Sequence, residues 1–406
     1  MIHRFALLCA VLVLASCGGN TSAPIDYAAE ARRIADTSII VDTHVDVPYR
    51  LAIRPAPVAG ETDHGDFDYV RAVAGGLNAP FMSIYTPAGY EAEGKSKAAA
   101  DALIDMVENL VEEAPEKFAI ATSVADVRNQ FEQGLMSLPL GMENGSPIEG
   151  ELDNLRYFYD RGIRYLSLSH SLSNHLSDSS YDDNRQWNGI SEFGKETILE
   201  MNRLGIMVDV SHVSDDAFWQ IAEITNTPLI ASHSSARHFT PGFERNMSDE
   251  MIVALAETGG VIQINFGSSF VTQEAREYSD ALWAAGRAYL AEHSDLTEAY
   301  LYREYPAIYA AEHGPLPFAT VDDVIDHFDH VVKLVGVDHV GIGSDYDGVG
   351  DSLPTGLKDV SSYPNLIEGL LRRGYSEEDV RKILGENLLR VWQAVEDYAA
   401  TTSSST

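Results

Sequence analysis

Short apolar runs alternate along most of the chain with stretches whose apolar positions recur every three to four residues. The first pattern is typical of buried strands and the second of helices packed on one face. Eight strands are predicted, at Ser38–Thr43, Phe81–Tyr85, Ser137–Met142, Tyr165–Ser169, Met207–Ser211, Leu229–Ser232, Val261–Phe266 and His339–Ser344. Eight strands that alternate with helices predict an α/β fold, a (β/α)8 barrel of the TIM type.

The helices between these strands have recognisable ends. Four are predicted at Glu192–Leu204, Asp215–Ile224, Asp249–Glu257 and Val321–Leu334, several of them after a Ser or Asp suited to an N-cap. Two segments are additional to the strands and helices that a minimal barrel requires. They lie at residues 50–80 and at Ser268–Thr320, after strand 7. The second, rich in Tyr, Trp, Ala and Glu, is predicted to be a helical insertion that forms a lid, a subunit interface, or both.

The N-terminus has the pattern of an export signal. Arg4 precedes an apolar stretch from Phe5 to Leu14 that is too short to cross a bilayer. Small residues around Cys17 resemble a bacterial lipobox, in which the cysteine carries lipid after cleavage; the alternative is an ordinary signal peptide with a chance cysteine. We therefore expect a signal peptide at 1–16, a lipidated tether at 17–30, one barrel domain at 31–400 and a disordered tail at 401–406.

Composition limits the partners and the chemistry. The net charge is −34, with 28 Lys and Arg against 62 Asp and Glu, which argues against nucleic acid as a partner. Membrane contact is expected only through the N-terminal lipid, on an exported protein anchored to the periplasmic or cell-surface side of a bacterial cell membrane. The two cysteines are Cys9, in the signal, and Cys17, so the folded domain can hold metal only with nitrogen and oxygen ligands.

Histidine and carboxylate residues follow most of the predicted strands. In a barrel the C-terminal strand ends converge on one mouth, where active sites lie. Successive side chains along an extended strand point in alternate directions. His44 and Asp46 are two positions apart, so they point to the same side. The other candidates at strand ends are Glu143, His170, His212, His233 and Asp345.

These residue types predict a metal site. Imidazole and carboxylate suit Zn²⁺, and also Mn²⁺, Fe²⁺ or Co²⁺. Three histidines and two carboxylates are more ligands than one tetrahedral ion uses, so their number favours a site with two ions. With Glu143 as the bridge, His44 and Asp46 complete one site and His212 and His233 the other, with the ions roughly 3.5–4 Å apart.

Several sequence motifs together resemble the membrane (renal) dipeptidase family, peptidase family M19, of the amidohydrolase-like barrels. The resemblance runs from about Asp36 to Trp392. It is carried by VDTHVDVPYR, PLGMENG, RYLSLSH, NGISEFGKETILEMNRLGIMVDVSHVSDDAFW, PLIASHSSAR, RNMSDEMI and VGIGSDYDG.

The resemblance implies a zinc dipeptidase with two ions bridged by Glu143, in which a bridging hydroxide attacks the peptide bond. By motif position, His170 contacts the substrate near the scissile carbonyl, and Asp345 contacts it as the catalytic acid and base. Arg245 takes the substrate carboxylate, with Arg237 as the competing candidate. The family also implies a homodimer and dipeptide substrates that include L-Xaa-D-Xaa.

Two other functions stay open from the sequence. The first is another metal hydrolase on the same barrel, a lactonase or phosphotriesterase; many of these bridge their metals with a carbamylated lysine, whereas the bridging candidate here is Glu143 and no predicted strand end carries Lys. The second is a non-catalytic lipoprotein that binds metal or peptide. Such a protein would be expected to lack an acid/base residue such as Asp345.

Lipidation at Cys17 can be tested by metabolic labelling. Cells grown with a labelled fatty acid should mark the wild-type protein and not Cys17→Ser, because the lipid is attached through the cysteine sulfur. The label is measured on the purified protein after electrophoresis. Equal labelling of both proteins, or of neither, would contradict the lipobox.

Overall fold

The computed structural model describes residues 25–403, with gaps at 294 and 297. The predicted signal peptide at 1–16 and the predicted lipidation site Cys17 lie outside these residues. Among the described helices, none combines the length and the apolar character needed to cross a membrane.

Eight parallel strands form the barrel, in the spatial order β1, β2, β5, β6, β7, β8, β9 and β10. Two further strands, β3 and β4, pair in a small parallel sheet beside it. In chain order the strands are β1 Ile40–Val45, β2 Leu77–Tyr85, β3 Phe118–Ile120, β4 Met136–Leu138, β5 Leu140–Glu143, β6 Ile163–Ser167, β7 Met207–Asp209, β8 Leu229–Ala231, β9 Val261–Ile264 and β10 Val340–Ile342. The predicted TIM-like barrel is confirmed.

Helices surround the barrel and also form the insertion after β9. They are α1 Tyr27–Thr37, α2 Val47–Ile53, α3 Tyr69–Gly75, α4 Tyr90–Glu93, α5 Ser96–Glu113, α6 Val124–Glu132, α7 Leu152–Asp160, α8 Glu192–Leu204, α9 Asp215–Ile224, α10 Asp249–Glu257, α11 Ser268–Val271, α12 Gln273–Glu292, α13 Glu298–Arg303, α14 Tyr305–His313, α15 Val321–Val335, α16 Tyr363–Arg372, α17 Glu377–Arg381 and α18 Asn387–Ser403. The side chains of Ser191, Ser214 and Ser248 cap α8, α9 and α10, which is why these helices begin where the sequence predicts.

The barrel closes between its last and first strands. Beyond β10, the backbone N–H of Asp345 donates to the His44 carbonyl at 3.1 Å, and that of Asp46 donates to the Tyr346 carbonyl at 2.9 Å. The Thr43 hydroxyl lies 3.0 Å from the Ile342 carbonyl and also contacts the Ser232 carbonyl. Three of the candidate site residues therefore lie on the strand ends that close the barrel.

A column of aromatic side chains fills the barrel below this closure. Trp392 of α18 is fully buried and its ring centroid lies 5.4 Å from that of Phe81. Phe81 in turn lies 5.4 Å from Tyr165, whose hydroxyl is 2.8 Å from Nδ1 of His44. The apolar floor thus supports a candidate site residue directly.

Gly141 of β5 makes room for this column. A methyl group at that position would overlap the ring of Tyr165. The backbone of Gly141 has an ordinary conformation, so the requirement is for space and not for a positive φ.

The segment after β9 contains α11, α12, α13 and α14, as the predicted insertion at Ser268–Thr320 requires. Its helices pack around a small apolar cluster of their own, which includes Leu282, Leu301, Tyr305 and Tyr309.

The predicted strand Ser137–Met142 is wrong as a single element. It divides at Pro139 into β4 and β5, which belong to different sheets. Proline has no N–H to donate, but its carbonyl accepts a hydrogen bond from the backbone of Met82 at 2.8 Å. The chain can therefore change sheets at this residue.

Both terminal boundaries differ from the expectation. The tether was expected to reach residue 30, but α1 begins at Tyr27, because the Asp26 side chain accepts from the backbone N–H of Ala29 at 3.1 Å. The disordered tail was expected from 401, but α18 continues to Ser403. The Thr402 hydroxyl donates to the Tyr398 carbonyl within this last turn, at 2.9 Å.

Gly141→Ala should destabilise the protein, because the added methyl must displace a buried aromatic ring. Overpacking of this kind costs about 1–3 kcal/mol. The change is measured as a lower unfolding midpoint in urea. Gly89→Ala is the control, since a methyl there meets no atom within 4 Å. Equal midpoints for the two variants would contradict the proposed role of Gly141.

Candidate metal and catalytic site

The barrel brings the predicted site residues together at the C-terminal ends of its strands. Glu143 ends β5, and the other residues lie on β1 or in the loops that follow β1, β6, β7, β8 and β10. The residues so placed are His44, Asp46, His170, His212, His233 and Asp345. All except His170 are buried.

Glu143 lies at the centre of the group. Its Oε1 is 2.9 Å from Nε2 of His212 and 3.3 Å from Nε2 of His233. Its Oε2 is 3.4 Å from Nε2 of His44 and accepts from the Ser83 hydroxyl at 3.3 Å. The two carboxylate oxygens therefore face different histidines.

The potential ligand atoms form overlapping groups of three. One group is His44, Glu143 and His233, and a second is Glu143, His170 and His212. A third joins His44 and Asp46 to Asp345, with 3.4 Å between Nε2 of His44 and Oδ2 of Asp46. The groups share members, so they form one continuous cluster.

Two members of the cluster have backbone conformations that L-residues rarely adopt. The φ angles are +71° at His212 and +64° at Asp345, and Asn144, directly after Glu143, has +75°. Such conformations cost free energy and persist only where the surrounding structure enforces them. The loops hold these side chains in place against a local preference.

Burial and neighbouring charges set the protonation of the cluster. Burial opposes ionisation of Glu143, but the imidazoles of His44, His170, His212 and His233 outweigh it and hold its pKa well below the usual value. Burial, aided by the nearby Arg245, holds the pKa of both His212 and His233 well below the usual value. Glu143 thus presents an anionic carboxylate, and His212 and His233 present neutral imidazoles.

Asp345 lies at the edge of the cluster and has different properties. Its Oδ2 accepts from the side-chain amide of Asn265 at 2.7 Å. Burial raises its pKa to about 7, with Asp46 and Glu143 adding to the rise and His44 and Asn265 opposing it. A carboxyl group with a pKa near neutrality can both accept and donate a proton.

His170 is the member of the cluster that faces the open side. Its side chain is 21% exposed, and its Nε2 lies 3.6 Å from Oε1 of Glu143. Its ring centroid is 4.3 Å from that of His212. Burial lowers its pKa, so a neutral imidazole stands at the mouth.

The geometry separates the two candidate arginines. Arg237 forms two hydrogen bonds to Asp215, at 2.7 and 2.6 Å, and others to backbone carbonyls. Arg245 is buried and donates to the Ser234 hydroxyl at 2.7 Å and to the His233 carbonyl at 2.8 Å. Its buried Nε has no hydrogen-bond partner among the described residues. Arg245, and not Arg237, is fixed beside the histidines with a donor to spare.

Several residues that support the site were missed from the sequence. Asn265 holds Asp345, Tyr165 contacts His44, and Asp209 lies behind the histidines. The available signal was a polar residue inside an otherwise apolar predicted strand, as at Asp209 and Asn265. A buried polar residue needs a hydrogen-bond partner, and here that partner belongs to the site.

The cluster fits a divalent metal. Its donors are imidazole nitrogens and carboxylate oxygens, the set that Zn²⁺ and related ions prefer. The buried Nε2 of His44 has no hydrogen-bond partner among the described residues, although it faces two carboxylates. A metal ion would satisfy that nitrogen and the anionic Glu143 together.

Solved structures of similar proteins share this fold. The probable dipeptidase PvdM from Pseudomonas aeruginosa is 27% identical, with a TM-score of 0.80 over 92% of this chain and 99% of that one. A metallopeptidase from Rhodobacter sphaeroides, liganded with a phosphinate mimic of the dipeptide L-Ala-D-Ala, is 25% identical. Its TM-score is 0.72 over 89% of this chain and 100% of that one.

A family comparison covers nearly the whole chain. Residues 28–406 match the family described as membrane dipeptidase, peptidase family M19. The match includes the strands of the barrel and all the residues of the site cluster. The chain therefore belongs to the membrane dipeptidase family, peptidase family M19.

Proposed function

We propose that this metallo-dipeptidase uses two zinc ions, bridged by Glu143, to hydrolyse dipeptides that include L-Xaa-D-Xaa. The observation that carries the proposal is the division of the Glu143 oxygens. Oε1 faces His212 and His233, whereas Oε2 faces His44. A carboxylate placed in this way can bind one ion with each oxygen.

The remaining ligands follow from position. His44 and Asp46 would hold one ion with Oε2 of Glu143, and His212 and His233 the other with Oε1. Two divalent ions supply a polarised carbonyl and an attacking water with a lowered pKa. The anionic Glu143 and the neutral imidazoles of His212 and His233 offer lone pairs to the ions without first losing protons.

Three further residues would act on the substrate. Asp345, with a pKa near neutrality, would take a proton from the attacking water and return it to the leaving amine. His170 would stabilise negative charge on the carbonyl oxygen. Arg245, with its free Nε, would bind the C-terminal carboxylate and so restrict the enzyme to short peptides.

A D-residue at the C-terminal position is supported by the similarity to the Rhodobacter sphaeroides protein, whose bound ligand mimics L-Ala-D-Ala. For an exported bacterial protein, dipeptides from cell-wall turnover have this chemistry. We also propose the lipid anchor at Cys17 on the bacterial cell membrane and a homodimer, which rest on the lipobox pattern and on the family.

The zinc-loaded protein should release amine from L-Ala-L-Ala, L-Ala-D-Ala or both, as measured with an amine-reactive dye. Asp345→Asn should lower kcat by about 10²–10⁴-fold, because the amide cannot carry the proton, with the metal content unchanged. Asp351→Asn is the matched control, since that carboxylate lies on the same loop with its side chain 94% exposed. It should retain wild-type activity.

The substrates to be tested also include a lactone, a phosphotriester and the amides of both dipeptides. The dipeptide amides should be poor substrates, because they lack the carboxylate that Arg245 would bind. Turnover of the lactone or the phosphotriester, with no dipeptide cleaved, would contradict the proposed function. Full activity of Asp345→Asn would remove that residue from the mechanism.

A further inference from the structure

The imidazole of His233 is contacted from behind by a hydroxyl group. Nδ1 of His233 lies 2.8 Å from Oγ of Ser232, the preceding residue. The same hydroxyl lies 2.6 Å from Oδ2 of Asp209. Carboxylate, hydroxyl and imidazole thus form a continuous chain that ends, at Nε2 of His233, beside Glu143.

Asp209 is a buried carboxylate that takes no part in the chemistry described so far. It is fully buried, and its Oδ1 accepts from the backbone N–H groups of Ser211 at 3.0 Å and Ser232 at 2.8 Å. Its Oδ2 accepts from the hydroxyls of Ser232 and Ser167. Four donors point at this side chain and it donates to none, which is the pattern of an ionised carboxylate.

This pattern decides where the Ser232 proton lies. A hydroxyl has one proton to donate, and its two candidate acceptors besides His233 are Oδ2 of Asp209 and Oγ of Ser211. The carboxylate is closer, at 2.6 Å against 3.5 Å, and a charged acceptor forms the stronger hydrogen bond. Ser232 therefore donates to Asp209.

The proton of His233 follows from the same reasoning. With its own proton directed to Asp209, the Ser232 oxygen can only accept from Nδ1 of His233. That nitrogen then carries the imidazole proton, and Nε2 keeps its lone pair. Nε2 is the nitrogen that lies 3.3 Å from Oε1 of Glu143.

We propose that Asp209 and Ser232 are positioning residues that fix His233 in its Nδ1-protonated form, so that Nε2 is ready to bind metal. The inference rests on the proposed role of His233 as a ligand. Partners of this kind behind a metal-binding histidine typically contribute 10–100-fold, roughly, to metal affinity.

Two serines on the same carboxylate provide a matched pair of variants. Ser232 and Ser167 are both fully buried and both donate to Oδ2 of Asp209. Ser232 also contacts the His233 ring, whereas no hydrogen bond joins Ser167 to an imidazole among the described residues. Ser232→Ala breaks the hydrogen-bonded connection between Asp209 and His233. Ser167→Ala removes only one hydrogen bond to Asp209.

Zinc affinity is measured by competition with a chelator, using metal-free protein whose unfolding midpoint is recorded first. In Ser232→Ala the more weakly bound zinc ion should have an affinity about 10–100-fold lower than in wild type. Ser167→Ala should bind zinc with the wild-type affinity. Equal affinities for Ser232→Ala and Ser167→Ala would overturn the inference. If wild type binds both zinc ions and cleaves dipeptides in that case, the proposed function stands.

A second measurement tests the proton assignment itself. In Asp209→Asn the side-chain NH₂ can donate to the Ser232 oxygen, which directs the serine proton to Nδ1 of His233 and favours the form protonated on Nε2. Nitrogen-15 spectra of histidine-labelled, metal-free protein report this difference. Wild type should show His233 protonated on Nδ1, and Asp209→Asn should shift it towards Nε2; a wild-type His233 protonated on Nε2 in the metal-free protein would overturn the inference even if zinc binding fails.

Discussion

The Glu143 carboxylate is the group on which the rest of the site depends. It is buried among four imidazoles, and burial of an unpaired charge costs several kcal/mol. The surrounding imidazoles offset this cost, because together they hold the pKa of Glu143 well below its usual value. A divalent metal bound here would stabilise the buried carboxylate further, because its positive charge would pair with the anion.

The barrel supplies the rigid support for that arrangement. β1 and β10 meet where the barrel closes, and the backbone hydrogen bonds of this closure involve His44, Asp46 and Asp345 themselves. Below them, Trp392, Phe81 and Tyr165 fill the interior up to Nδ1 of His44. The same contacts that stabilise the fold thus limit the movement of the site residues, as a preorganised catalytic site requires.

Much of this could be predicted from the sequence, because strand periodicity and strand-end position determine which side chains share a mouth. His44, Asp46, Glu143, His212 and His233 were placed by that reasoning and meet in the structure. Helix boundaries were predictable where a serine caps the first turn, as at Ser191. The division at Pro139 could not be predicted, since an apolar run does not show which sheet each half joins.

The supporting residues could not be predicted for a different reason. The importance of Asp209 and Asn265 depends on contacts with residues distant in sequence, and Gly141 matters only because of the ring of Tyr165. Periodicity carries no information on such pairs. The sequence motif favours Arg245 over Arg237, but only the structure shows that Arg237 is already hydrogen-bonded to Asp215.

Glu143 is proposed to bridge two metal ions. The most direct test is a crystal structure of the zinc-loaded protein with anomalous diffraction measured at the zinc edge. Two anomalous peaks per chain are expected, one beside each oxygen of Glu143 and roughly 3.5–4 Å apart. A single peak, or two peaks on the same side of that carboxylate, would contradict the bridging role.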